Sequence, residues 1–333
     1  MDKDFRRSVV LSILILGVLF AAILMLNAGY SKIGYFDILK ALFLKSDAGH
    51  NMIIWDIRMP RIIIGLLCGA GLGVSGCILQ SVTGNALADP SILGINSGAG
   101  IAILIFIVFF PELHIAGMIF MPVFAFAGGM SVAFFLYIFA YRNGRLSSNY
   151  FLLGGIAASA GGTAIMLVMS TGLQGSNFQM VSRWLVGSVW GTNWYHVQSL
   201  APYLIVLIIF VLMRSRKMDV LMLGDETATG LGVKVEREHR ILLLTAVGLS
   251  AACISVCGGV GFVGLVSPHI AKRILGTRHW TLVPGSMLIG MLIFMLSDGI
   301  GRSFLSTIEI PVGIIIAIIA APYFLFLLRR KVY

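Results

Sequence analysis

From Val9 to Leu26 the chain holds no charged residue, and runs of this kind return at intervals as far as Leu328. About 20 apolar residues in a helix cross the hydrocarbon core of a bilayer. No water is present in that layer to pair with backbone amides, so a spanning segment must close its own hydrogen bonds, as a helix does. A chain with this pattern folds as an all-α, polytopic integral membrane protein. Its composition agrees: 58% of residues are hydrophobic and 11% charged, where a soluble domain has about 25% charged.

Ten spans are expected, over Ser8–Ala28, Ile62–Val82, Ile92–Phe110, Met118–Tyr141, Tyr150–Thr171, Leu200–Met213, Ile241–Cys257, a short Phe262–Ile274, Leu282–Ser297 and Pro311–Leu328. They form a single transmembrane domain, residues 1–333, with a cytoplasmic loop over 218–240. The first apolar run is too long for a typical signal-peptide core, so it reads as an uncleaved span. With the N-terminus inside, 17 of the 24 Lys and Arg fall on the cytoplasmic side. Lys32, Lys40, Lys45, Arg58, Arg61, Arg183 and Arg302 fall outside. That bias predicts an N-in, C-in bundle. It also accounts for the net charge of +10; no basic domain or aromatic-interleaved patch points to nucleic acid.

The stretch Trp55–Gly98 is the most informative. Arg58, Pro60 and Arg61 stand at the mouth of a glycine-studded apolar helix, and an Asn/Asp/Pro turn leads on to the next segment. Glycines permit the close helix packing of a polytopic bundle, and arginines beside hydrocarbon need a partner or a purpose. In the turn, Asn85 and Asp89 are placed to cap the following helix, with Pro90 in its first turn. Pro268 and His269 form a comparable turn in the second half, and a lone histidine there is structural rather than a metal ligand. Gly71–Cys77 followed by Asp89-Pro90 is faintly echoed by Gly248–Cys253 followed by Ser267-Pro268. In the expected topology the two helices run in opposite senses, as inverted repeats do around a pathway. The four cysteines lie in apolar helices with no His or Asp beside them and read as small packing residues.

The chain has no charged residue in the middle of any expected span, which speaks against proton or sodium coupling. It has no GxxxxGK[ST] phosphate loop either. Active transport would draw on another chain; a passive channel or autonomous carrier stays open at this point. Asp225–Val233, in the long loop after span six, reads as a short helix opened by acidic residues and stopped by glycine. Such a helix suits docking in a groove of a cytoplasmic partner.

The run of IRMPR at 57–61, GNALADPSILGINSGAG at 84–100, GDETATGLGV at 224–233, GGVGFVGLVSPHIAKRILG at 258–276, LSDGIGR at 296–302 and EIPVGIIIAIIAAPYFLFLLRR at 309–330 resembles the permease subunits of FecCD-type ATP-binding-cassette importers. These take up ferric siderophores, haem or cobalamin. The resemblance implies ten helices, a second permease subunit (a copy or a paralogue), two cytoplasmic ATPase subunits that use ATP and Mg, and an extracytoplasmic substrate-binding protein. It implies a multi-pass protein of the bacterial cytoplasmic membrane, in contact with lipid, that is not itself an enzyme: no catalytic residue, no metal site and no cofactor of its own. Arg58, Arg61 and Arg302 match positions that face acids on the binding protein. Gly224, Asp225, Glu226, Ala228, Leu231 and Gly232 match the segment that contacts the ATPase. The pathway is expected along Gly73, Ser75, Gly76, Gln80, Asn96 and Ser97, a nearly neutral lining that suits a bulky chelate. Ferric siderophore is favoured as cargo, then haem, then cobalamin.

Overall fold

The computed structural model describes residues 3–27, 33–43, 46–110, 114–142, 145–173, 175–303 and 309–329. Lys32, Lys45, Arg330 and Lys331, which enter the charge bias, lie outside those residues. The elements are α1 (Lys3–Asn27), α2 (Tyr35–Leu42), α3 (Ala48–Met52), a π-helical turn (Ile53–Arg58) continuing into α4 (Met59–Thr83), α5 (Ile95–Phe109) and α6 (His114–Ala140). A two-residue hairpin, β1 (Tyr141–Arg142) with β2 (Arg145–Leu146), leads to α7 (Ser148–Ser170) and α8 (Gly175–Val186). Then come α9 (Trp194–Leu221), α10 (Asp225–Gly230), α11 (Val235–Cys257), α12 (Val263–Leu275), α13 (His279–Ser303) and α14 (Val312–Arg329).

Each of the ten expected segments falls on a helix, but the lengths differ. Among the described residues seven helical stretches are long and apolar enough to cross a membrane, and Ile95–Phe109 and Val312–Leu325 are shorter apolar helices. The 13 residues of α12 rise about 20 Å, less than a hydrocarbon core.

The bundle is organised around α4, whose apolar stretch is 83% buried within this one chain. Its glycines are the reason. A Cβ on Gly69 would stand 2.5 Å from Gly290 O, one on Gly73 2.4 Å from Ser286 O, and one on Gly76 1.8 Å from Gly264 O. Only hydrogen fits, so α13 and α12 approach backbone to backbone. On another face Ser75 Oγ donates to Ala246 O at 2.6 Å, and a Cβ on Gly71 would meet Cys253 Sγ at 2.4 Å. Residue numbers rise along α4 as they fall along α11, so the two echoed motifs cross antiparallel. They seal against each other, however, and enclose no pathway.

The turn between α4 and α5 is built differently from the expected cap. Gly84 and Gly94 take φ +64° and +74°, and α5 starts at Ile95 with Gly94 as its cap. Asn85 Oδ1 accepts from Leu87 N at 2.8 Å and Asp89 Oδ1 from Ser91 N at 2.8 Å, each closing a local turn. These side chains therefore hold the loop, and Pro90 sits ahead of the helix rather than in its first turn. Pro268 lies inside α12, and the His269 ring packs edge-on to Tyr323 at 5.9 Å.

Three irregular segments meet at the α8 terminus. Gly259 N donates to Trp184 O at 2.9 Å, Ser188 N to Cys257 O at 2.8 Å and Gly313 N to Gly187 O at 3.1 Å. Gly187 and Gly258 both have positive φ, and a Cβ on Gly313 would stand 1.9 Å from Val186 O.

Candidate functional site

Three places combine polar chemistry with exposure or space. The first is a cleft of about 320 Å³ between α5, α7 and α8, walled by Ser91, Asn96, Ser97, Ser159, Thr163, Ser170 and Trp184, with Met166 and Leu185 as apolar wall. Its hydroxyls are largely committed to backbone: Thr163 Oγ1 donates to Ser159 O at 2.7 Å, Ser170 Oγ to Leu167 O at 2.8 Å and Ser97 Oγ to Gly94 O at 2.9 Å. They turn lone pairs, not charge, to the space. Among the described residues Asn96 Oδ1 and Trp184 Nε1 are buried with no partner, so one acceptor and one donor keep unspent capacity.

Of the expected pathway residues, Asn96 and Ser97 line this cleft. Gly73, Ser75 and Gly76 do not; the interhelical contacts above enclose them. Gln80 is likewise spent, its Nε2 donating to Leu265 O at 3.2 Å and Gly264 O at 3.4 Å. Ser170 and Trp184 are wall residues that sequence pattern did not single out. Thr163 and Ser159 are four apart on α7, a helical spacing that put them on one face all along.

Asp89 connects the cleft to α12. The carboxylate is 2% exposed and is also bonded by the Ser91 hydroxyl. Its Oδ2 faces the first turn of α12, 3.0 Å from where a Gly264 Cβ would stand. That helix follows Phe262, the one non-glycine residue with positive φ (67°) among those described, and has no side-chain cap of its own. Burial pushes the Asp89 carboxyl above the ordinary carboxylate range, opposed by the Ser91 hydroxyl and amide and by the Leu265 amide.

The second place is the arginine end. Arg58, Arg61 and Arg302 come together there, but their guanidinium groups are turned into the protein. Arg61 is held by Asp298 (Nη2–Oδ1 2.7 Å, Nε–Oδ2 3.1 Å) and by Glu309 (Nη1–Oε2 2.9 Å). Arg302 lies 3.9 Å from Asp298 Oδ2, and Arg58 donates to Leu26 O. Arg58 and Arg302 are 3% and 9% exposed, so the expected outward handle is an inward cluster in which two acids offset part of the charge of three arginines. A buried arginine beside α1 is affordable only with such acceptors. Glu309, 44% exposed, is the solvent-facing member.

The third place is at the other end. Trp194 Nε1 donates to Trp55 O at 2.8 Å, which puts the start of α9 beside the arginines. From there α9 runs 28 residues, about 42 Å, to the turn before α10. Gly224 (φ 96°) and Gly232 (φ 82°) bracket α10 with backbone that other residues resist. Asp225 and Glu226 occupy its first turn, Ala228 is fully buried, and Leu223 and Leu231 are 60% and 62% exposed. All six expected residues thus fall on one protruding element.

Comparison with known proteins now decides the family. Residues 14–330 match the FecCD transport family. The chain belongs to the FecCD transport family. It is similar to the iron(3+)-hydroxamate import system permease protein FhuG of Bacillus subtilis, 40% identical over 98% of both chains. It is equally similar to the Fe(3+)-citrate import system permease protein YfmE of the same organism, 40% identical over 99% of this chain and 98% of that one. A cobalamin import system permease protein, BtuC of Halobacterium salinarum, is 38% identical over 84% of this chain and 74% of its own length. Among solved structures a metal-chelate type ABC transporter in an inward-facing conformation superposes with a TM-score of 0.83, at 26% identity over 96% of this chain and 99% of the other. This family member is a multi-pass membrane transport protein, and it supplies the permease function rather than an enzymatic one.

Proposed function

We propose that this chain is the permease subunit of an ATP-driven importer that moves a siderophore-type ferric chelate across the bacterial cytoplasmic membrane. Full-length likeness to ferric-chelate importer permeases carries the reading, and the protruding α10 supports it. The permease pairs with a second permease subunit and with ATPase subunits, to which ATP and Mg belong. Exposed Leu223 and Leu231 beside the acidic first turn make α10 the contact for an ATPase groove.

The cleft supports the cargo class. Uncharged hydroxyl lone pairs beside an apolar wall give a lining that orients a chelate without gripping it. At about 320 Å³ it is smaller than a whole siderophore, and the second permease would complete the passage. The arginine end is the landing face for an extracytoplasmic binding protein. Its acids would exchange with Glu309 on Arg61, because Glu309 is the half-exposed partner while Asp298 is buried.

The test is reconstitution. Proteoliposomes with the permease pair, ATPase and binding protein should accumulate ⁵⁵Fe-labelled ferric hydroxamate only when ATP and binding protein are both supplied. Accumulation by the permease without ATPase would overturn the reading and return the chain to the autonomous carriers.

A further inference from the structure

The last turns of α9, from which α10 is suspended, are held by two polar arms of different reach. One stops at the next helix: Glu238 on α11 takes Lys217 Nζ at 2.6 Å and Arg214 Nη1. The other goes deeper. Asp219 Oδ1 accepts the backbone amide of His279 at 2.8 Å and meets its Nδ1 at 2.7 Å. It thereby caps α13 from 60 residues away in the chain. On the far side of the ring, His279 Nε2 meets Ser81 Oγ at 2.6 Å, near the end of α4. With Nδ1–H on Asp219 the Nε2 accepts, and Ser81 Oγ, also 2.8 Å from Cys77 O, shares its one proton between the ring and that carbonyl.

Asp, His and Ser at these spacings have the geometry of a hydrolytic triad, but the setting removes that role. The imidazole is 1% exposed, and the serine hydroxyl is packed between the ring and a helix carbonyl. No substrate reaches such a serine. The chain of bonds is mechanical: it joins the stem of α10 to the N-terminus of α13 and to the central helix. Three residues separate α9 from α10, and the corner is stitched by Leu223 N to Val220 O (3.1 Å) and Gly224 N to Leu221 O (3.2 Å). A push on α10 therefore reaches Asp219 with little slack. Beyond it, α4 and α13 are in backbone contact at Gly69, Gly73 and Gly290 and move together.

We propose that Asp219–His279–Ser81 is a positioning relay that passes displacement of α10 into the α4–α13 core, coupling ATP hydrolysis to opening of the pathway. The proposal rests on α10 being the ATPase contact. The experiment is uptake of ferric hydroxamate and ATP hydrolysis measured in the same proteoliposomes carrying the complete transporter, for Ser81→Ala, Ser81→Thr, His279→Asn, Glu238→Gln and Gly232→Val. Ser81→Ala and His279→Asn should lower chelate moved per ATP roughly tenfold, the scale of a lost site-to-site coupling, while hydrolysis continues. Ser81→Thr keeps the hydroxyl and should restore the ratio. Glu238→Gln should loosen the complex thermally with the ratio kept. An unchanged ratio in Ser81→Ala and His279→Asn overturns the relay, as does a parallel fall of both activities with lost assembly. If Gly232→Val also leaves the ratio intact, the reading of α10 itself falls; if Gly232→Val lowers it alone, only the relay does.

Discussion

α4 and α7 look alike in sequence: 25 and 23 residues, apolar, uncharged beyond the first turns, punctuated by glycine. In the fold they are opposites. The apolar stretch of α4 is 83% buried inside the chain and that of α7 only 22%. Gly69, Gly73 and Gly76 each face another backbone at a distance no Cβ tolerates; on α7 Gly155 and Gly162 meet Leu93 and Ser97 on one side, whereas Gly161 has nothing within 4 Å of where its Cβ would be. A glycine-rich helix is thus either a keel or a wall. What decides is whether a second backbone lies opposite, and that is a property of the partner, not of the helix.

The largest way to break this contrast is at Gly76. Gly76→Leu drives a side chain into Gly264 O and should cost more than about 3 kcal/mol, the upper range of overpacking. It should appear as loss of monodisperse protein in detergent. Gly161→Ala on α7 should stay within about 0.5 kcal/mol of the parent. Equal losses at the two positions would erase the distinction.

Next comes the arginine end of the keel. Arg61→Ala leaves Asp298 only the longer contact with Arg302 and should destabilise by about 3 kcal/mol, the lower range for a broken buried pair. The double variant Arg61→Ala/Asp298→Ala should recover part of that in thermal melts. No recovery would mean that the pair is not what fixes the cluster.

The wall should respond the other way. Thr163→Val keeps the volume and removes a lone-pair donor from the cleft, so uptake should fall severalfold while the melting temperature holds. A variant that melts early with normal uptake would mark Thr163 as core.

The smallest expected effect is a pH slope at Asp89. Its folded pKa is raised by burial. The stability tied to its protonated form is therefore complete below the unfolded value of about 4 and is lost as pH rises through the raised folded value. Asp89→Asn should flatten that part of the melting-temperature profile above about pH 4. A slope kept by the variant assigns it to another group.

Much of the helix pattern was readable, because ten apolar runs leave little choice inside lipid. The glycine-bracketed acidic segment at 224–232 was readable too, since its signal is local. What escaped the sequence depends on distant partners. Asp219 caps α13 and Asp89 faces the first turn of α12, across 60 and about 175 positions; nothing near either residue announces it. The assignment of Gly73, Ser75 and Gly76 to a pathway failed for the same reason: small side chains suit a pore and a tight contact equally. The arginines were found by their violation of the charge bias, yet Asp298 and Glu309, which neutralise Arg61, lie about 240 positions away in the chain.

The stitch at the end of α8 has a mechanical meaning. Gly259 bonds Trp184, Ser188 bonds Cys257 and Gly313 bonds Gly187 through the main chain, where glycine leaves no slack between the ends of α8 and α11 and the start of α14. Breaking those bonds in an apolar surrounding would leave amides unpaired at several kcal/mol apiece. The elbow before α12, the tip of α8 and the root of α14 are therefore geared as one part. Any swing of one turns the other two, and a loop beside the passage behaves as a hinge pin rather than as a flap.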